Sequence, residues 1–140
     1  GFQGVTGIVG QTGIQGITGI GFVTNDYVTS TTTATTTSTS FVLATSMTAT
    51  PASGTYLVLF SGSISNSSSA ATTYTTIYSA GAQVAASERR YSGGQNNDPS
   101  PFSTTAVVTV NGSQAIAGYW RVTAGTGSIF QRQLILLKLA

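Results

Sequence analysis

Five cations and three carboxylates are all the ionic chemistry this chain has: Arg89, Arg90, Arg121, Arg132 and Lys138 against Asp26, Glu88 and Asp98. Histidine and cysteine are absent. A Ser-His-Asp or Cys-His nucleophile therefore cannot be assembled, nor a zinc site of the usual ligand set. Glycoside hydrolysis needs two carboxyl groups roughly 5–9 Å apart. Glu88 and Asp98 are the pair that shares a region, and nothing in the sequence brings them together. Three acidic residues do not build a calcium cage within one chain, although three copies of Asp98 could meet on an axis. The expectation is a protein that is not an enzyme and takes no cofactor.

The remaining polar candidates each have a plain reading and a sharper one. Glu88, Arg89 and Arg90 fall mid-strand in a chain almost free of charge. The plain reading is a structural ion pair of Glu88 with Arg89, Arg121 or Arg132, which would set register more than add stability. The sharper one is an anion or glycan contact. Tyr119 and Trp120 would stack on sugar if exposed, or belong to a core or interface. Asn66-Ser67-Ser68 and Asn111-Gly112-Ser113 match the N-glycosylation acceptor pattern, which arises easily in Ser-rich sequence; Asn66 is the candidate kept.

These residues must be positioned by strands. Charged residues make up 6% of the chain, against about 25% in ordinary soluble domains. Ser, Thr, Gly and Ala take their place, and they favour strands and turns over exposed helices. The cations are scattered, so no nucleic-acid footprint is expected. No stretch reaches the roughly 18 apolar residues of a membrane-spanning helix. So little charge is a solubility risk that burial in an oligomer or a glycan coat would offset.

Glycine recurs at every third position from Gly1 through Gly4, Gly7, Gly10, Gly13, Gly16 and Gly19. A collagen triple helix demands this period, because only Gly fits at the axis where three chains meet. The segment has no Pro, and β-branched Ile8, Ile14, Ile17 and Ile20 follow the glycines, so an isolated triple helix would be weak without a trimeric neighbour. Thr6, Thr12 and Thr18 fill outward third positions where sugar could attach. A bundle of polyproline II strands within one chain and an extended segment inserted into a neighbouring sheet edge are the competing readings, and disorder is a further one. Because residue 1 already lies inside the repeat, the chain is expected to be a processed or truncated piece of something longer. Every residue from Thr29 to Ser40 except Ala34 is Ser or Thr, which reads as a glycosylated linker or an edge strand.

From Phe41 onward, short strand patterns follow one another. They are expected over 41–50, 55–60, 72–79, 83–91, 105–110, 114–123 and 128–139, with a polar loop over 61–69 and another over 93–101. Asn111-Gly112 between two β-rich runs is a strong hairpin signal. The runs Thr55–Phe60 and Leu134–Leu137 lack polar alternation, so both their faces need cover. One face would be the core and the other a subunit interface. Tyr56, Val58, Phe60, Leu134, Leu136, Leu137 and Leu139 are the candidate assembly residues. The fold class expected is all-β, a two-sheet jelly-roll-like sandwich preceded by an extended Gly-x-y segment.

A Gly-x-y stalk running into such a head resembles the collagen-like proteins with a C1q- or tumour-necrosis-factor-like domain, found in bacterial surface proteins, spore filaments and phage or virus fibres. The matching pieces are residues 50–63, Ser87-Glu88-Arg89, Val108-Thr109-Val110-Asn111-Gly112 and residues 132–139. The resemblance implies a collagen-like stalk over 1–21 and a β-sandwich head over 41–140; the Ser/Thr-rich linker or edge strand over 22–40 departs from the family pattern, as does the Pro-free stalk. It also implies homo-oligomerisation, as a trimer, at an extracellular, cell-surface or virion-surface location. Three functions follow as expectations: a structural fibre subunit, an adhesin tip that binds a receptor or cell-surface glycan, and a filament subunit whose N-terminal segment inserts into the next head.

Overall fold

The computed structural model describes Gly4, residues 26–92 and residues 96–140. The stalk candidates other than Gly4, and the sugar acceptors Thr6, Thr12 and Thr18, lie outside the described residues. Among the described residues ten strands form in chain order: β1 (Tyr27–Ser30), β2 (Ala34–Thr36), β3 (Val42–Ala49), β4 (Gly54–Asn66), β5 (Thr72–Ser79), β6 (Ala82–Gln83), β7 (Arg89–Ser92), β8 (Ser100–Val110), β9 (Ile116–Val122) and β10 (Gly127–Lys138). A three-residue 3₁₀ turn, Ala85–Ser87, is the single helical piece among the described residues.

Two antiparallel sheets face each other. The first runs β1-β10-β4-β8, with β2 also on β10. The second runs β3-β9-β5-β6, with β7 also on β5. The long strands β3, β4, β5, β8, β9 and β10 alternate between the sheets as the chain proceeds. That alternation makes the sandwich a jelly roll.

The core follows from side-chain alternation. Tyr56, Val58 and Phe60 of β4 and Leu134 and Leu136 of β10 point inward and are at most 2% exposed. They meet Ile77, Ile116 and Trp120 of the second sheet. Phe60 packs edge-to-face on Phe102, with centroids 4.9 Å apart. The Tyr56 hydroxyl donates to the Ala52 carbonyl at 2.9 Å. Burial, and secondarily the charge of Asp26, raise its pKa above the ordinary 10.0. A folded-state pKa above the unfolded one contributes stability that is full below about pH 10 and is lost as pH rises through the raised value. An alkaline titration is therefore expected to show one tyrosine ionising late, together with loss of the β circular-dichroism signal. Replacing Tyr56 with Phe should remove that late step.

Three local expectations are corrected. Residues 61–66 are strand, not loop, because β4 continues between β10 and β8, which satisfy its backbone on both sides. Residues 83–91 are not one strand. Ser87 turns the chain there: its buried Oγ donates to the Val84 carbonyl at 2.7 Å and accepts from the Ile77 amide at 2.7 Å. Asn111-Gly112 is not a hairpin turn, because β8 and β9 belong to different sheets. Only Gly112 of the pair has positive φ, 95°, and Asn111 Oδ1 instead accepts from Ser113 N and Oγ. The two-residue hairpin is Ala80-Gly81, φ 53° and 78°, between β5 and β6, which is the double positive φ that such a turn requires. Within the Ser/Thr tract, β1 and β2 both pair with β10.

Candidate functional site

The outward face of the first sheet can be read from its register. One cross-strand row holds Tyr27, Ile135, Leu59 and Thr105. The next holds Leu137, Leu57 and Val107. Polar rows flank them: Thr29, Gln133, Ser61 and Ser103 on one side, Thr55 and Thr109 on the other. Gln133 Nε2 donates to Ser61 Oγ at 3.3 Å, and the Thr55 and Thr109 hydroxyls lie 2.9 Å apart. Tyr27 and Val107 are each 61% exposed, while Leu57, Leu59, Ile135 and Leu137 are half-buried. An apolar band therefore crosses all four strands between two hydroxyl and amide borders.

This corrects the expected assembly set. Tyr56, Val58, Phe60, Leu134 and Leu136 lie on the opposite face, buried inside the single chain. Leu137 is on the outward face, and Leu139 follows the strand at 44% exposure. Sequence reasoning missed Leu57, Leu59, Val107, Ile135 and Tyr27. Their signal was present in the unbroken apolar runs, but not the side each residue would take.

The expected ion pairs also rearrange. Glu88 Oε1 pairs with Arg90 Nε at 3.2 Å, and Glu88 Oε2 accepts from Gln83 Nε2 at the same distance. Arg89 Nη1 donates to the Ala86 and Glu88 carbonyls. Arg121 lies over aromatic rings, 3.8 Å from the Tyr74 centroid and 5.1 Å from that of Phe41. Arg132 is 4% exposed and has carbonyl partners instead of a carboxylate. Its Nε and Nη2 donate to the Thr45 carbonyl at 3.1 and 2.8 Å, and Nη1 donates to those of Thr32 and Phe130 at 2.8 Å each. Both β3 and β10 break register where this side chain sits, between Leu43 and Thr48 and between Ile129 and Arg132. A bulge leaves backbone groups without ladder partners, and the guanidinium fork satisfies them. Burial pulls its pKa below the usual arginine value, yet guanidinium stays charged across the neutral range.

Asn66 is corrected as a sugar acceptor. It is buried, its Nδ2 donates to Ala124 O at 3.2 Å and Thr73 Oγ1 at 3.4 Å, and its Oδ1 accepts from Ser68 N at 2.9 Å. Trp120 is a core residue at 1% exposure, whereas Tyr119 faces outward beside Tyr78.

No family model matches the chain, and no curated protein matches it. Among solved structures, one similar to it is that of Eiger TNF from S. frugiperda. The identity is 20% and the TM-score 0.41, over 64% of this chain and 62% of that one. The chain thus spans less than two thirds of that structure's length. No helix among the described residues is long and apolar enough to cross a membrane.

Proposed function

We infer that the chain is a structural, self-assembling subunit whose β head trimerises through the outward face of its first sheet. The apolar band of Leu57, Leu59, Val107, Ile135 and Leu137 carries this reading. Contiguous exposed apolar surface rimmed by polar groups marks an interaction site. Stable interfaces take about 800 Å² per partner, so the flanking hydroxyl rows take part as a rim. The head holds three chains in register, and the Gly-x-y segment extends from it as the stalk of an extracellular or virion-surface fibre.

A specific observation favours a second arrangement. β8 borders the first sheet and, among the described residues, pairs only with β4. Its free edge has no lysine and carries a proline only near its start, at Pro101. Such an edge accepts an added strand, and residues 1–20 of a neighbouring copy would supply it in a filament. Electron microscopy of the full chain separates the two. Threefold heads on thin stalks are the expected particles. A continuous helical array of heads that disperses on deleting residues 1–20 would replace the trimer by the filament.

A further inference from the structure

The outward face of the second sheet carries a different chemistry. Arg90, Tyr74 and Arg121 form one cross-strand row over β7, β5 and β9. Phe41 extends it at the β3 side, where the Arg121 guanidinium lies over its ring. In the neighbouring rows, Tyr78 stacks on Tyr119 with centroids 3.9 Å apart and planes 20° from parallel. Phe41 meets Tyr78 edge-on at 6.1 Å. Two of the chain's five cations and four of its rings thus share one face.

Arg121 is the centre of this face. Its guanidinium carbon lies over the Tyr74 ring at 3.8 Å and over the Phe41 ring at 5.1 Å. It makes no ion pair among the described residues, where Glu88 pairs with Arg90. Stacking uses the face of a guanidinium and leaves its five coplanar N–H groups as a fork for a carboxylate. The side chain is half-buried, so its rotamer entropy is already spent before a ligand arrives. The cations are few and set among rings. A densely charged polyanion needs clustered cations; this face fits sparse charge separated by apolar ring surface.

We propose that this face binds a carboxylate-bearing polysaccharide in which acidic and neutral sugars alternate. Arg121 takes the carboxylate, Arg90 exchanges Glu88 for a second one, and the edges of Tyr74, Tyr78 and Tyr119 contact the neutral sugars. The site is on the sheet opposite the apolar band, so it stands whether or not the head trimerises.

The test is titration calorimetry of the full chain with hyaluronan decasaccharide, which alternates a uronate with a neutral sugar, beside neutral dextran and heparin. Binding of hyaluronan at or below about 1 mM, with none of dextran, is the expected result. Arg121→Gln should weaken it at least about tenfold, the effect of losing a charge-assisted hydrogen-bond pair. Arg121→Lys, which keeps the charge and the fold but loses the fork, should weaken it as well. No hyaluronan binding, binding of heparin alone, or hyaluronan binding unchanged in both variants would each overturn the proposal.

Discussion

Replacing Arg132 with Ala is expected to cost about 3–5 kcal/mol of folding stability. The part-buried carbonyls of Thr45, Thr32 and Phe130 lose their donors, and an acceptor left unsatisfied away from water costs about 1–3 kcal/mol. For a head of this size, the thermal midpoint should fall by roughly 15–30 °C, measured by circular dichroism at fixed protein concentration because assembly adds its own stabilisation. Arg132→Lys should fall in between, since an ammonium has the charge but not the planar fork. Replacement with Met fills the volume yet leaves the same carbonyls open, so it should resemble Ala more than Lys. A midpoint unchanged in Arg132→Ala would mean that the two bulges close without the guanidinium.

The second large effect concerns assembly. Leu59 sits mid-band, beside Ile135 on β10 and Thr105 on β8. Leu59→Asp is expected to weaken association on the order of a thousandfold, because each copy would bury an unpaired carboxylate at the interface. The monomer should keep its fold, since residue 59 faces away from the core. Thr109→Glu, at the polar border, should change association far less. Sedimentation velocity over a dilution series reads both. Were Leu59→Asp to associate like the parent chain, the interface would have to lie elsewhere, the β8 edge first.

How much of this could be read beforehand depends on where the pattern had contrast. The all-β class followed from composition and turn spacing. A two-sheet sandwich followed from several short strands without room for helices, but the alternation of those strands between the sheets did not, since the Asn111-Gly112 expectation joined two of them in one sheet. In β4 and β10, the very feature that announced two covered faces erased the information about which residue takes which. An apolar run such as Tyr56-Leu57-Val58-Leu59-Phe60 has no period to read, and a shift of one residue exchanges core for surface. Register against β8 and β10 settles it. The expected set therefore joined core residues such as Phe60 to the outward Leu137.

Asn111-Gly112 misled for a related reason. Its positive φ serves an arch between sheets as well as a hairpin within one. Ala80-Gly81 was passed over because Ala seldom takes that conformation. Arg132 was expected beside a carboxylate, as buried charge usually is. Its partners are the carbonyls of Thr45 and Phe130, at the two register breaks, and of Thr32, between β1 and β2, and a bulge leaves no signature in residue types this uniform. The Tyr74–Arg121 row was illegible because its members come from β5 and β9, far apart in the chain and joined only by the sheet.

The most direct test of the central claim is the mass of the full chain in solution, by size-exclusion chromatography with light scattering. Assembly through the first sheet predicts a particle of three chains of 14.2 kDa each, persisting on dilution to about 10 µM. A single-chain mass at that concentration would contradict it, and the apolar band would then be surface without a partner of its own kind.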